Sequence, residues 1–431
     1  MFPALRHSAT LAIALSISGT LFAENWPGWR GPAGNGISSE KNLPVEWSPT
    51  HNVAWKLALP GSAGASPIVW GDRIFLTSVN EAGDLLLIAV DTNGKQVWQK
   101  AVSSGNKTAR GDEGNSASPS PVTDGQHVWA FMGDGTLACY SMGGDEIWKT
   151  NLQDRYGKFS IQFGMSSSPV LDEGVLYFQL IHGEGNPKTR EACVVALDGA
   201  SGKEVWKADR PSDAEAENEH SYASAMMYHD GATKLLLTHG ADFIVAHDLK
   251  DGHEVWRCGG LNRRDDPSLR YDPTLRFVAS PVSVPGLIIA PSAKGHPILA
   301  IKGDGKGDIT NEAGKHLWTW KKTPDVPTPV IVDDLVYLCM ENGNLTVLEA
   351  KTGKEVYTQA THRMRHRASP VYGDGKLYLT ARDGKVHVIQ AGREFKVLAV
   401  NDLEEDQSSS PAISNGTIYM RTFQHLWAIR K

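Results

Sequence analysis

Short apolar runs alternate with polar turns along almost the whole chain, and they recur in the same order eight times. Each unit opens on an anchor dipeptide: Ser66-Pro67, Ser120-Pro121, Ser168-Pro169, Ser224-Ala225, Ser280-Pro281, Thr328-Pro329, Ser369-Pro370 and Ser410-Pro411, spaced 54, 48, 56, 56, 48, 41 and 41 residues apart. A second run follows, such as Arg73-Ile74-Phe75-Leu76, Val175-Leu176-Tyr177-Phe178 or Lys376-Leu377-Tyr378-Leu379, rich in the β-branched and aromatic residues that suit a pleated sheet. The turns ahead of these runs, Trp70-Gly71-Asp72, Asp172-Glu173-Gly174, Gly373-Asp374-Gly375 and Asn415-Gly416, supply the positive φ of a tight hairpin, so the first two strands are antiparallel neighbours. A third run carries a small residue at a fixed place (Ala89, Cys139, Ala196, Ala246, Ala300, Val347, Val388, Ala428), and an aromatic closes the unit at Trp98, Trp148, Trp206, Trp256, Trp318, Tyr357 and Phe395. Large rings at this spacing are expected to wedge between neighbouring units.

A four-stranded unit repeated at this period predicts an all-β fold, an eight-bladed β-propeller of antiparallel blades. The eighth unit ends at Leu426-Trp427-Ala428-Ile429 with no outer strand, whereas Asn52-Val53-Ala54-Trp55-Lys56-Leu57 reads like an outer strand with no inner ones before it. The N-terminal strand around Trp55 is therefore expected to complete the C-terminal blade and remove the exposed edges. The expected organisation is a signal segment over residues 1–23, an N-terminal extension over 24–51 and the propeller over 52–431.

Arg6 and His7 precede the apolar run Ala9 to Phe22, and Ala23 is a small residue at a cleavage position, so a secretory signal cut near Ala23 is expected, with a periplasmic or secreted product. No later apolar stretch is long enough for a transmembrane segment. A net charge of −6 gives no broad basic surface for nucleic acid. Cys139, Cys193, Cys258 and Cys339 fall at unmatched blade positions; Cys139 reads as a small buried hydrophobe, and the spacing leaves any pairing open.

The stretch Ala196-Leu197-Asp198-Gly199-Ala200-Ser201-Gly202-Lys203-Glu204-Val205-Trp206 resembles the repeat of PQQ-like β-propellers, and the likeness runs over residues 52–431. The opening Trp26-Pro27-Gly28-Trp29-Arg30-Gly31-Pro32 looks like the start of exported bacterial members of that family. Two branches are implied. Quinoprotein alcohol dehydrogenases cover PQQ with an adjacent Cys-Cys disulfide and hold Ca²⁺ with Glu, Asn and Asp beside a catalytic Asp; this chain has no adjacent cysteines. BamB, a lipoprotein of the outer-membrane assembly machinery, fits the blade count, but no cysteine stands near Ala23 to carry a lipid.

Propellers bind ligands at the mouth formed by loops that join an outer strand to the next inner strand. Those loops concentrate charge here: Arg363, Arg365, His366 and Arg367 before blade 7, Glu404, Glu405 and Asp406 before blade 8, His220 in an acidic loop before blade 4, Arg276 in a mixed loop with Arg263, Arg264, Asp265, Asp266 and Arg270 before blade 5, and Asp325 before blade 6. They form the expected partner-binding mouth. Gly303 to Asp308 lacks the alternating oxygen ligands of a calcium loop and reads as a turn within blade 5. No nucleophile elbow, His-Glu-x-x-His or P-loop occurs, so no catalytic or metal residues are assigned and PQQ enters through the resemblance alone. The expected function is a non-catalytic, exported, monomeric binding scaffold for an envelope or extracellular protein or ligand; the alternative is a PQQ-binding oxidoreductase with a simplified site.

Overall fold

The computed structural model describes residues 24–109, 114–183, 192–262 and 271–431. The expected signal segment and the stretch containing Arg263, Arg264, Asp265, Asp266 and Arg270 lie outside the described residues. Eight antiparallel sheets, each built on four strands, form an all-β eight-bladed propeller. Helix among the described residues is confined to Leu152–Tyr156 and a single 3₁₀ turn, Ala216–Glu219.

Blade 1 shows the plan. Its strands Ile68–Trp70, Arg73–Val79, Asp84–Asp91 and Gln96–Ser104 pair in sequence order, which places Ile68, Phe75, Ala89 and Trp98 in one row across the sheet. In blades 1 to 6 the small third-strand residue faces the outer-strand ring: Ala89 opposite Trp98, Cys139 opposite Trp148, Ala196 opposite Trp206, Ala246 opposite Trp256, Ala300 opposite Trp318 and Val347 opposite Tyr357. The register shifts immediately after each of these pairs, a bulge that adds twist to the outer strand. Blade 8 is completed by Val53–Ala58, antiparallel to His425–Ile429 with Trp55 opposite Ala428.

The rings join blades by a hydrogen bond as well as by contact. The indole N–H groups of Trp55, Trp98, Trp148, Trp206, Trp256 and Trp318 donate to the carbonyls of Thr92, Met142, Gly199, Leu249, Gly303 and Ala350 at 2.8 to 3.1 Å. Each acceptor lies in the turn ahead of the next blade's outer strand. Gly202 shows why that turn needs glycine: at φ +67, a Cβ there would lie 2.8 Å from the Trp148 ring. The turn from Gly303 leaves blade 5 and sends Gly307–Asp308 to pair in parallel with the outer strand Glu254–Cys258 of blade 4.

Phe395 departs from the sequence expectation. It lies in the turn before the outer strand Val397–Asp402, and the position opposite Val388 is held by Ala399. Phe395 packs edge-on against Tyr357, with ring centroids 5.9 Å apart, at the seam between blades 6 and 7. The seam between blades 7 and 8 is filled by Trp47 of the N-terminal extension, 4% exposed and 6.2 Å from the Tyr378 ring, in one apolar cluster with Ala412, Ile413 and Tyr419. Asn401 fixes it from both sides, accepting from the Trp47 N–H and donating to the Val45 carbonyl, each at 2.9 Å.

The extension ties distant blades across one face. Trp26 exchanges two main-chain hydrogen bonds with Val69 of blade 1, the Pro27 carbonyl accepts from Thr123 of blade 2, Ile37–Ser38 pairs in parallel with Val371–Gly373 of blade 7, and Glu40 accepts the N–H groups of Asn415 and Gly416 in blade 8. Replacing Trp47 with alanine removes the ring from a seam that has no outer-strand aromatic. The expected loss is about 3 to 5 kcal/mol in equilibrium urea unfolding, against less than about 1 kcal/mol for alanine at the exposed Val205.

Candidate functional site

In the segment that leads into each inner strand, the residue at the anchor and the residue two before it both line the axis. The eight anchors Ser66, Ser120, Ser168, Ser224, Ser280, Thr328, Ser369 and Ser410 all line one central cavity of about 210 Å³. The positions two before them make a second ring toward the mouth: Gly64, Ser118, Ser166, Tyr222, Val278, Val326, Arg367 and Ser408. Six members of that ring are small or neutral; Tyr222 and Arg367 break the pattern.

Seven of the eight anchor hydroxyls are already engaged. The N–H of each anchor from Ser66 to Ser369 donates to the hydroxyl of the next, at 2.8 to 3.0 Å. At the seam from blade 8 to blade 1, Arg421 is 1% exposed and donates to the Thr77 carbonyl at 2.6 Å and the Gly61 carbonyl at 3.3 Å.

Trp29 closes the inner end: it lines both the central cavity and a separate cavity on the face crossed by the extension. Arg30 anchors it, buried and donating to the carbonyls of Pro329 at 2.7 Å and Pro370 at 3.0 Å. Burial pulls the Arg30 and Arg421 guanidinium groups down to about 9, which leaves both charged at neutral pH. The channel is a cup with one open end.

At that end stand Phe163, Tyr222, Arg276 and Arg367. Arg276 lies over the Phe163 ring at 5.4 Å, with Glu217 3.8 Å and Asp325 4.0 Å away. Arg367 contacts Glu341 at 2.8 Å. Arg276, Arg367 and Asp325 are thus gathered at the mouth, with His220 at the edge of the same loop cluster, its Nε2 3.3 Å from the Gly183 carbonyl. Burial lowers the pKa of His220, and also that of His366, which is fully buried with Nδ1 2.9 Å from the Met364 carbonyl.

The acidic trio disperses. Glu404 is exposed; Asp406 meets Arg382 at 3.1 Å; Glu405 is drawn under the closing strand, 3.0 Å from Lys56 and 2.8 Å from His425. Burial opposes its ionisation, but Thr422, His425 and Lys56 together hold its carboxyl below the usual range. Arg363 and Arg365 face outward into a neighbouring groove. Trp29, Phe163 and Tyr222 were missed by sequence reasoning; only Tyr222 had a signal, as a large residue in a ring of small ones.

The donor set decides what the cup can hold. Among the described residues lining it there is no carboxylate and no histidine, so these residues offer a Ca²⁺ ion no anionic ligand and the anchor hydroxyls no base. The four cysteines are buried on separate blades and form no disulfide with one another, and burial pushes the thiols of Cys139, Cys258 and Cys339 up to about 12. Neither the metal nor the disulfide cover of the quinoprotein site fits. Asp248, Asp251 and His253 are close enough to share an ion elsewhere, but they form an exposed turn in which His253 already contacts Asp251 at 2.6 Å.

A family model described as outer membrane protein assembly factor BamB matches residues 37–179, 133–306 and 240–430. The chain belongs to this family of PQQ-like β-propeller repeat proteins. BamB of Yersinia pestis is 23% identical over 309 residues, 69% of each chain. A polyvinylalcohol dehydrogenase of a Pseudomonas species is 28% identical over 200 residues, 43% of this chain; the match spans only 29% of that enzyme. The quinohemoprotein alcohol dehydrogenase of Comamonas testosteroni shares the fold, with a TM-score of 0.65 at 12% identity over 94% of this chain and 81% of its own. Relatives of both kinds, assembly factor and dehydrogenase, therefore surround this chain.

Asp242 gives the mouth loops a pH dependence. It sits in the turn after Thr233–Gly240 at φ 69, and burial raises its carboxyl to about 6 despite hydrogen bonds from Asn218 and Asn262. A raised carboxyl favours the folded state below its unfolded pKa near 4, and that advantage is lost as the pH rises through about 6. Asp242→Asn is expected to raise the unfolding free energy by about 3 kcal/mol at pH 8 and to change it little at pH 4, measured by urea denaturation.

Proposed function

We propose that this protein is an exported, non-catalytic binding propeller whose open mouth captures a protein or extracellular ligand of the cell envelope. The observation that supports this most directly is the donor set of the cup: engaged hydroxyls, two arginines and two aromatic rings around a floor of tryptophan, with no carboxylate among the described lining residues. Such a surface suits recognition, and the described lining residues offer none of the bases or metal ligands of a redox centre. BamB-like architecture over most of the chain points the same way. The charged and apolar start of the chain supports export, and no helix among the described residues is long and apolar enough to cross a membrane.

A second reading, a quinone-dependent dehydrogenase, draws on the likeness to polyvinylalcohol dehydrogenase over less than half the chain. The two separate in one titration. With PQQ and Ca²⁺ added to the purified protein, the expected result is no stoichiometric absorbance change and no dye reduction with alcohols; stoichiometric uptake followed by turnover establishes the dehydrogenase instead. Affinity isolation from the native envelope is expected to return a reproducible partner, and Arg276→Glu with Arg367→Glu to weaken its capture at least about tenfold, the loss typical of truncating a central charge.

A further inference from the structure

A groove of about 1080 Å³ opens beside the mouth, between blades 5, 6 and 7. Its apolar surface comes from Trp320, Met340 and Met364, the last 39% exposed. Five cations line it, Lys294, Lys321, Lys322, Arg363 and Arg365, against three carboxylates, Asp325, Glu341 and Glu355. Two of those carboxylates are engaged from the channel side, Glu341 by Arg367 at 2.8 Å and Asp325 by Arg276 at 4.0 Å. The groove thus carries an excess of positive charge on a chain whose net charge is −6. One wall bears Glu355 and Thr358, from the strand Glu355–Ala360 at the outer edge of blade 6.

We propose that this groove binds an extended acidic peptide segment of a partner protein, with carboxylates against Lys321, Lys322 and Arg363 and an aliphatic or aromatic side chain against Trp320 and Met364. Three features favour that occupant. Charge complementarity calls for acid. The thioethers and indole between the cations call for an apolar side chain, which a uniformly charged polymer lacks. An edge strand offers main-chain groups that an extended peptide can pair with. The inference rests on the binding reading above and names the partner's chemistry for it.

The test is fluorescence anisotropy on the protein from residue 24 to residue 431, with a labelled peptide of about twelve residues alternating Glu and Leu. Saturable binding is expected, weakening by about tenfold between low and physiological salt. It should be lost in the triple variant Lys321→Glu, Lys322→Glu, Arg363→Glu, whose exposed positions leave the melting temperature unchanged. Met364→Ala should weaken binding of the Glu-Leu peptide and leave the salt dependence intact. Equal affinity for a Lys-Leu peptide, equal affinity in the triple variant, or binding to anionic phospholipid vesicles without peptide binding would each overturn the proposal. The two readings fail separately. An envelope partner captured equally by wild type and triple variant removes the groove and keeps the binding function, whereas PQQ uptake with turnover removes the function whatever the peptide does.

Discussion

A ring of sheets closes only if every blade meets the next at the same pitch, and one short contact enforces that here. The anchor N–H of one blade donates to the anchor hydroxyl of the next, through seven consecutive seams. Each bond contributes only about 1 kcal/mol, but its length is the same to within 0.2 Å at every seam. The hydroxyl is therefore the fixed element of the repeat. Thr328 can replace serine because it keeps the oxygen, and Ala225 can replace proline because the ring does not depend on it.

Where the periodic devices lapse, the chain supplies particular ones. Arg421 spans the last seam with a charged group bonded to carbonyls of blade 1. Trp47 fills the seam that Ala399 leaves thin, and Trp29 with Arg30 turns an axial hole into a cup. Two consequences meet at the site. Seven of the hydroxyls lining the cavity are occupied as acceptors that tie one blade to the next. The residues that deviate from the repeat gather at the mouth: Tyr222 and Arg367 in the second ring, and Phe163 and Arg276 above it.

Much of this was legible in the sequence, for physical reasons that also mark where legibility stops. Blade number, strand order and the closing strand around Trp55 follow from local alternation and turn chemistry, which act over a few residues. Phe395 misled because an aromatic at about the right spacing looks the same whether it stands in the strand or in the turn before it; only the register opposite Val388 separates the two. The Trp26 to Trp47 segment carries no period, and its partners are remote: Arg30 bonds to carbonyls 299 and 340 residues away. At the mouth, Arg276, Arg367 and Asp325 were found because charge in loops stands out. Glu405 stood out equally and serves the closing strand instead.

The borrowed strand sets the order of events when the chain is made. Val53–Ala58 finds its partner in His425–Ile429, so the earliest strand of the propeller waits for nearly the last residues before it pairs. A polypeptide delivered amino end first can complete blades 1 to 7 one after another while this ribbon stays solvated and unmatched. Contacts of such separation are slow to form because the loop entropy is lost before any contact rewards it. Until His425–Ile429 is available to Val53–Ala58, blade 8 lacks its outer strand and the ring is an open crescent with unpaired sheet edges.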